Sequence, residues 1–599
     1  MAARGALAAF NDAGVLDAAD VHVARRLGRL GGETDEAVLL AVALAVRAVR
    51  LGSVCVDLLR LREVNVEDLD VDALPWPSFD EVVAALRVSP LVMGSAAGAL
   101  RPLRLVDTDE GPLLYLDRYY RQEQTIRSTL DDRVATAPPY DAGRLVSDLA
   151  AGFPGAAPDR QRVAAALAVT RWTSVVTGGP GTGKTFTIAR IIALLRGQEP
   201  GVRVALAAPT GKAAARLEEE VGAQDLDLRA MTLHRLLGWR PGSSTRFRHD
   251  AGNRLPYDVV VVDECSMVSL TMMARLMEAV RPDARLVLVG DADQLTSIDA
   301  GAVLADLVAR PVAAPVDPGL AGIVGADLTA ADDPAEARLS PREVAGLGNG
   351  VVRLSRGRRF GGAIAALAVA VRNGDADAAM TLLTSGDPAI SFHPPGDLAT
   401  LQDDVVRSAA EVTAAASVGD VTGALAGLEE HRLLCAHREG PYGVSEWDHR
   451  AREWVQAATG RRLDPWGWYP GQPLLVTAND YDTKVYNGDT GVVMASDDGV
   501  VAVFPRAGSV VRLHPSRLAS VQTVYAMTIH RSQGSQYRRV SVVLPAEASA
   551  LLTRELLYTA ITRAREHVRV IGTEESVRAG VQRQVLRASG LRRRFLMSP

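Results

Sequence analysis

The stretch TSVVTGGPGTGKTFTIAR, residues 173–190, leaves a chain few ways to fold. A β-branched run must end in a glycine turn, and that turn must open a helix. Only then does GGPGTGKT, residues 178–185, aim several backbone N–H groups at one anion. Gly178, Gly179, Pro180, Gly181, Thr182 and Gly183 make the turn, and its glycines tolerate the curl. A loop of this kind cradles nucleotide phosphates. Lys184 is expected to reach the β- and γ-phosphates, and Thr185 to offer its hydroxyl to Mg²⁺. Position 186, which is Phe186, closes the segment with no role assigned to it. Lys184 is one of three lysines, with Lys212 and Lys484, among 66 Lys and Arg residues. A slim point charge on a flexible stem suits the space above the phosphates, where a planar guanidinium fits poorly.

The same rhythm continues downstream. VRVALAAPTG, YDVVVVDECS and RLVLVGDADQ are β-branched runs ending in polar clusters, with helical patterns between them. That is the βαβ texture of a parallel sheet. Ligands of such sheets bind beyond the carboxyl ends of the strands, which is where Asp263, Glu264 and Gln294 fall. Asp263 is expected to hold Mg²⁺, directly or through water. Glu264 would orient and deprotonate an attacking water, and Gln294 would sense the γ-phosphate or position that water. ATP and Mg²⁺ are the expected cofactors.

At 599 residues the chain needs several cores. Its net charge of −5 gives no global basic footprint, so any nucleic-acid contact must be a local groove. Cys55, Cys265 and Cys435 are too far apart in sequence to suggest a disulfide or metal framework, which favours a reducing cytoplasm. No long apolar leader opens the sequence, and the run AVLLAVALAV, 37–46, is half a bilayer span, so a buried helix is expected there. PWPSFDEVVAALRV reads as a Pro-bounded helix and 131–143 as a linker. Residues 310–348, rich in Ala, Pro, Gly and Asp, read as a mobile surface insertion. From 473 to 520, short strands with Asn-Asp, Asn-Gly and Asp-Gly turns suggest a small β-barrel.

In order, these motifs resemble those of superfamily 1 DNA helicases, and within them the RecD-like group, over about 159–320 and 350–595. Gln161, in DRQRVAAAL, looks like the adenine-reading glutamine. APTGKAAARL, with Pro209 and Thr210, and TLHRLLG, with Thr232 and His234, look like segments that grip single-stranded DNA. LSRGRRF supplies Arg359. AMTIHRSQGSQY resembles the fifth motif, with Thr528, His530, Ser532 and Gln533 as DNA contacts; it departs from the usual pattern at Arg531 and at Gln536, which lacks the carboxylate. YTAITRARE places Arg563 at the finger position.

The resemblance implies an α/β fold of two RecA-like parallel-sheet lobes, 150–345 and 346–599. It implies a small SH3-like barrel, 480–520, inserted in the second lobe, and a helical N-terminal domain, 1–130, for docking a partner. The segments 48–61, 85–92 and 111–126 resemble the N-terminal domain of the alpha subunits of RecBCD-type exonuclease V enzymes. That implies a heterotrimer with RecB-like and RecC-like subunits, acting on single-stranded and end-containing duplex DNA in a 5′-to-3′ sense. The nuclease would lie in the beta subunit. Two alternatives remain: a non-catalytic nucleotide-gated scaffold and a stand-alone RecD-like helicase. A relaxase-helicase would need a histidine cluster, and residues 1–150 hold only His22.

Overall fold

The computed structural model describes all residues except 1–5, 65–70, 94–100, 156–157, 225, 241–245, 330–338, 358–361, 461–462, 465–466, 481, 498, 507–508, 546–548, 586 and 597–599. Two parallel sheets dominate it. In the first, six strands lie in the order Ala230–Thr232, Val204–Ala208, Val259–Val262, Arg285–Gly290, Thr173–Gly178, Val351–Leu354. All its pairs are parallel. The run Val259–Val262 is buried at every position, as a strand covered on both faces must be. In the second sheet the order is Ile390–His393, Ala564–Ile571, Tyr537–Val543, His431–Cys435, Ala526–Thr528, again all parallel. The expected start of the second lobe at 346 falls before Val351–Leu354, yet that strand completes the first sheet beside the phosphate-loop strand.

A third sheet is antiparallel, in the order Ser509–Leu513, Gly499–Arg506, Thr490–Ser496, Pro473–Val476, Val521–Thr523. Its outer strands do not pair with each other among the described residues, so hydrogen bonding leaves it open where a closed barrel was expected. The N-terminal region is helical as expected, with a three-stranded sheet added (Val56–Asp57, Leu113–Leu116, Leu103–Val106). The apolar run 37–46 lies in the helix Glu36–Arg50, capped by Asp35, whose carboxylate accepts from Ala37 and Val38 N–H. No helix among the described residues is long and apolar enough to cross a membrane.

Two stretches differ from the sequence reading. Pro318–Thr329 is helical with a kink at Val324, and its Leu320 and Val324 are fully buried in the core shared with the helix Arg160–Thr170. Ala-rich composition suits a packed helix as well as a loose loop. The C-terminal GLRRRFL, whose run of arginines alone would suggest a solvated tail, is a clasp instead. Leu591 is fully buried, Arg592 pairs with Asp306 of the first lobe, and Arg593 pairs with Asp57 and Glu110 of the N-terminal region. Arg127 stacks on Phe595 at 4.1 Å.

Candidate nucleotide and nucleic-acid site

The phosphate loop leaves the strand Thr173–Gly178 and enters the helix Lys184–Gln198. Gly181 and Gly183 have φ of 79° and 80°, a left-handed backbone that glycine adopts without strain. A Cβ on Gly178 would stand 2.9 Å from the Leu354 carbonyl oxygen, so the loop is also closely packed. Lys184 Nζ donates to Gly178 O at 2.8 Å and Gly179 O at 3.1 Å, which holds the ammonium over the loop. Gln161 is buried and donates to Thr182 O at 2.9 Å. Its Oε1 has no partner, an orphan acceptor suited to an exocyclic amine. Thr185, Pro180 and Phe186 lie half-buried on the same segment.

The carboxyl ends of the neighbouring strands converge here. Asp263 and Glu264 follow Val259–Val262; Asp291 and Gln294 follow Arg285–Gly290. Burial and the adjacent Glu264 charge push the Asp263 carboxyl up to about 7, and Lys184 acts against that rise. Glu264 sits at φ 52°, a left-handed conformation unusual for a carboxylate residue. Burial also raises the Asp291 carboxyl, with the Asp293 charge adding to it. Gln294 is buried, and its Nε2 donates to Asp291 Oδ2 at 2.9 Å.

The second lobe supplies the opposite wall. Arg563 is buried and held by its own lobe, donating to Thr559 O and Ser535 O, both at 3.1 Å. Burial lowers its pKa, while Glu264 and Asp291 across the cleft act to raise it, so the guanidinium shares their field. Arg359 lies outside the described residues. Hydrogen bonds tie the walls together, among them Tyr558 OH to Asp291 Oδ2 (3.2 Å), Leu295 N to Thr559 Oγ1 (2.8 Å), Gln533 Nε2 to Leu295 O (2.7 Å) and Arg216 Nη1 to Gly534 O (3.2 Å). The sequence reading missed Tyr558, Arg216 and Arg353, the last paired with Asp293. Tyr558 and Arg216 lay inside quoted motifs, but nothing local marks a side chain that reaches across a cleft. Gln536 is buried with an unpartnered Oε1, so one acceptor remains where the usual carboxylate offers two oxygens.

Three of the DNA-contact candidates share one design. Thr210 caps the helix Gly211–Gly222, Thr232 caps Leu233–Leu236, and Thr528 caps the 3₁₀ turn Ile529–Ser532. Their hydroxyls accept from Ala213, Arg235 and Arg531 N–H at 3.2–3.3 Å. All three stand at or just beyond strand carboxyl ends. Pro209 and Thr210 are half-buried, His234 is exposed and His530 is half-buried. Ser532 and Gln533 turn inward: the Ser532 hydroxyl donates to Ile529 O, and the Gln533 amide reaches Leu295.

Family models match in three places. Residues 12–109 match the N-terminal domain of the RecBCD enzyme subunit RecD, 161–300 an AAA domain, and 523–571 the UvrD-like helicase C-terminal domain. A RecBCD enzyme subunit RecD of Mycolicibacterium smegmatis is 50% identical over 97% of this chain and 98% of its own length. The chain belongs to the RecD family. It is a RecD-like superfamily 1 helicase, a DNA helicase with ATPase activity. RecD of Haemophilus influenzae is 30% identical over 79% of this chain and 78% of that protein. The ATP-dependent RecD2 DNA helicase of Deinococcus radiodurans is 31% identical over 83% of this chain but only 59% of that longer protein. The AAA match covers the wall with the phosphate loop and carboxylates, and the UvrD-like match covers the wall with Arg563.

Proposed function

We propose that this chain is the 5′-to-3′ motor subunit of a RecBCD-type complex, assembled with RecB-like and RecC-like subunits, which acts in the cytoplasm on double-strand DNA ends in recombinational repair. The observation that carries the reading is the convergence of Lys184, Asp263, Glu264 and Gln294 on one wall of a cleft whose other wall holds Arg563. Gln161 would read the adenine through its free acceptor. The loop 178–185 would hold the phosphates. Thr185 and Asp263 would hold Mg²⁺, and the donor set fits, since a hydroxyl and a buried carboxylate are the oxygen ligands a hard divalent cation takes. Bound Mg²⁺ would neutralise charge on the β- and γ-phosphates. Glu264 would take the proton of the attacking water, Gln294 would orient that water, and Arg563, with Arg359, would stabilise charge on the transferring phosphoryl group.

Closing the cleft on ATP would pull Thr210 and Thr232 of one lobe toward Thr528 and His530 of the other, advancing a single strand held by both. The antiparallel sheet would help hold that strand. Its Tyr486 packs on the capped helix: a Cβ on Gly211 would stand 3.0 Å from its ring. The test is purification from native cells followed by unwinding of 5′- and 3′-tailed duplexes. Expected are two partner subunits, unwinding from the 5′ tail, and loss of that activity in Lys184→Ala. Unwinding from 3′ tails alone would overturn the polarity.

A further inference from the structure

We propose that Tyr558 is a positioning residue that sets the aim of Gln294 by giving Asp291 a hydrogen-bond donor from the second lobe. The inference rests on the hydrolytic role proposed for Gln294. Asp291 is only 1% exposed, and one of its oxygens, Oδ2, receives both the Gln294 amide at 2.9 Å and the Tyr558 hydroxyl at 3.2 Å. These two donors come from opposite walls of the cleft. The Tyr558 hydroxyl also stands over the phosphate loop, where a Cβ on Gly179 would come within 2.9 Å of it.

A buried carboxylate oxygen needs donors. With Tyr558 withdrawn, Asp291 has the Gln294 amide as its side-chain donor and holds it turned toward itself. With Tyr558 in place the oxygen is already served, and the amide can turn to a γ-phosphate or a water at little cost. The next residue reinforces this. Leu295 N–H donates to Thr559 Oγ1 and Leu295 O accepts from Gln533, so the segment on the far side of Gln294 is also gripped by the second lobe. Lobe position thereby reaches Gln294 through Asp291 on one side and Leu295 on the other.

The test is a double-mutant cycle in the full-length chain, assembled with the subunits it purifies with, reading ATPase at saturating single-stranded DNA. Tyr558→Phe is expected to lower kcat about tenfold while KM for ATP moves less than about twofold. Gln294→Ala is expected to lower kcat about 100-fold, and the double variant to be no slower than Gln294→Ala alone, because both act through one carboxylate. An unchanged thermal midpoint for Tyr558→Phe confirms that the fold is intact. Wild-type kcat in Tyr558→Phe beside a slow Gln294→Ala overturns the proposal alone, and so do effects that multiply independently. Wild-type kcat in Gln294→Ala overturns the hydrolytic reading and the proposal with it.

Discussion

Residues 230–235 read AMTLHR and residues 526–531 read AMTIHR. The first three residues of each hexapeptide form an outer strand of its parallel sheet, and each threonine caps the following turn. The local design is therefore the same, but the surroundings are not. In the first lobe His234 and Arg235 are exposed, and the chain continues into Leu236 and Leu237, both buried in the core. In the second lobe residues 526–529 are buried and the chain continues into Ser532 and Gln533, whose amide crosses to Leu295 beside Gln294. One copy ends in its own core; the other reaches the nucleotide wall. Under the proposed function, both near-identical hexapeptides would grip a strand, and only the second would report that grip to hydrolysis.

The equivalent positions Leu237 and Gln533 give the widest separation. Leu237→Ala is expected to cost about 2–5 kcal/mol of stability, seen as a lower midpoint in denaturant, with kcat of the folded fraction unchanged. Gln533→Ala is expected to do the reverse: little loss of stability and a 10- to 100-fold drop, roughly, in DNA-stimulated kcat. A Gln533→Ala protein with normal DNA stimulation would break the comparison. The threonines come next. Thr232→Ala and Thr528→Ala each lose a cap worth about 1 kcal/mol, and each is expected to raise the Kd for single-stranded DNA about fivefold. At saturating DNA only Thr528→Ala should hydrolyse ATP more slowly, and equal rates would erase the distinction.

The smallest effect concerns pH. Burial, aided by the Arg587 and Arg438 charges, lowers the His530 pKa, so the folded state favours neutral imidazole. As pH falls below about 6.5 the unfolded chain takes up this proton first and stability declines. His530→Gln should lose less melting temperature than wild type between pH 7.5 and 5.5. An identical loss would mean that the surroundings of His530 do not hold its imidazole neutral.

What the sequence disclosed follows the same division between local and long-range. The phosphate loop, Asp263, Glu264 and the helix Glu36–Arg50 were legible because strand, turn and cap chemistry act within a few residues. Gln161 and Arg563 were placed through resemblance, since no local rule brings residues 161 and 563 to a phosphate loop at 178–185. Tyr558 over Gly179, Arg216 against Gly534 and the clasp of Leu591, Arg592 and Arg593 were hidden, because each depends on where a distant segment packs. The helix Pro318–Thr329 was misread for a related reason: Ala and Gly say little until Leu320 and Val324 find a partner. Whether the antiparallel strands close is likewise a matter of their outer edges, not of their turns.

In the proposed cycle the two walls shut on the nucleotide while both lobes hold the strand. Cys55, Cys265 and Cys435 are buried, so paired spin labels can be placed on cysteines introduced at exposed Glu219 in the first lobe and exposed Asp403 in the second. Adding single-stranded DNA with ADP–aluminium fluoride should shift the label distance to a single new value, and Arg563→Ala should reduce that shift. A distance that stays the same with and without the nucleotide analogue, in a protein that still hydrolyses ATP, would contradict the account.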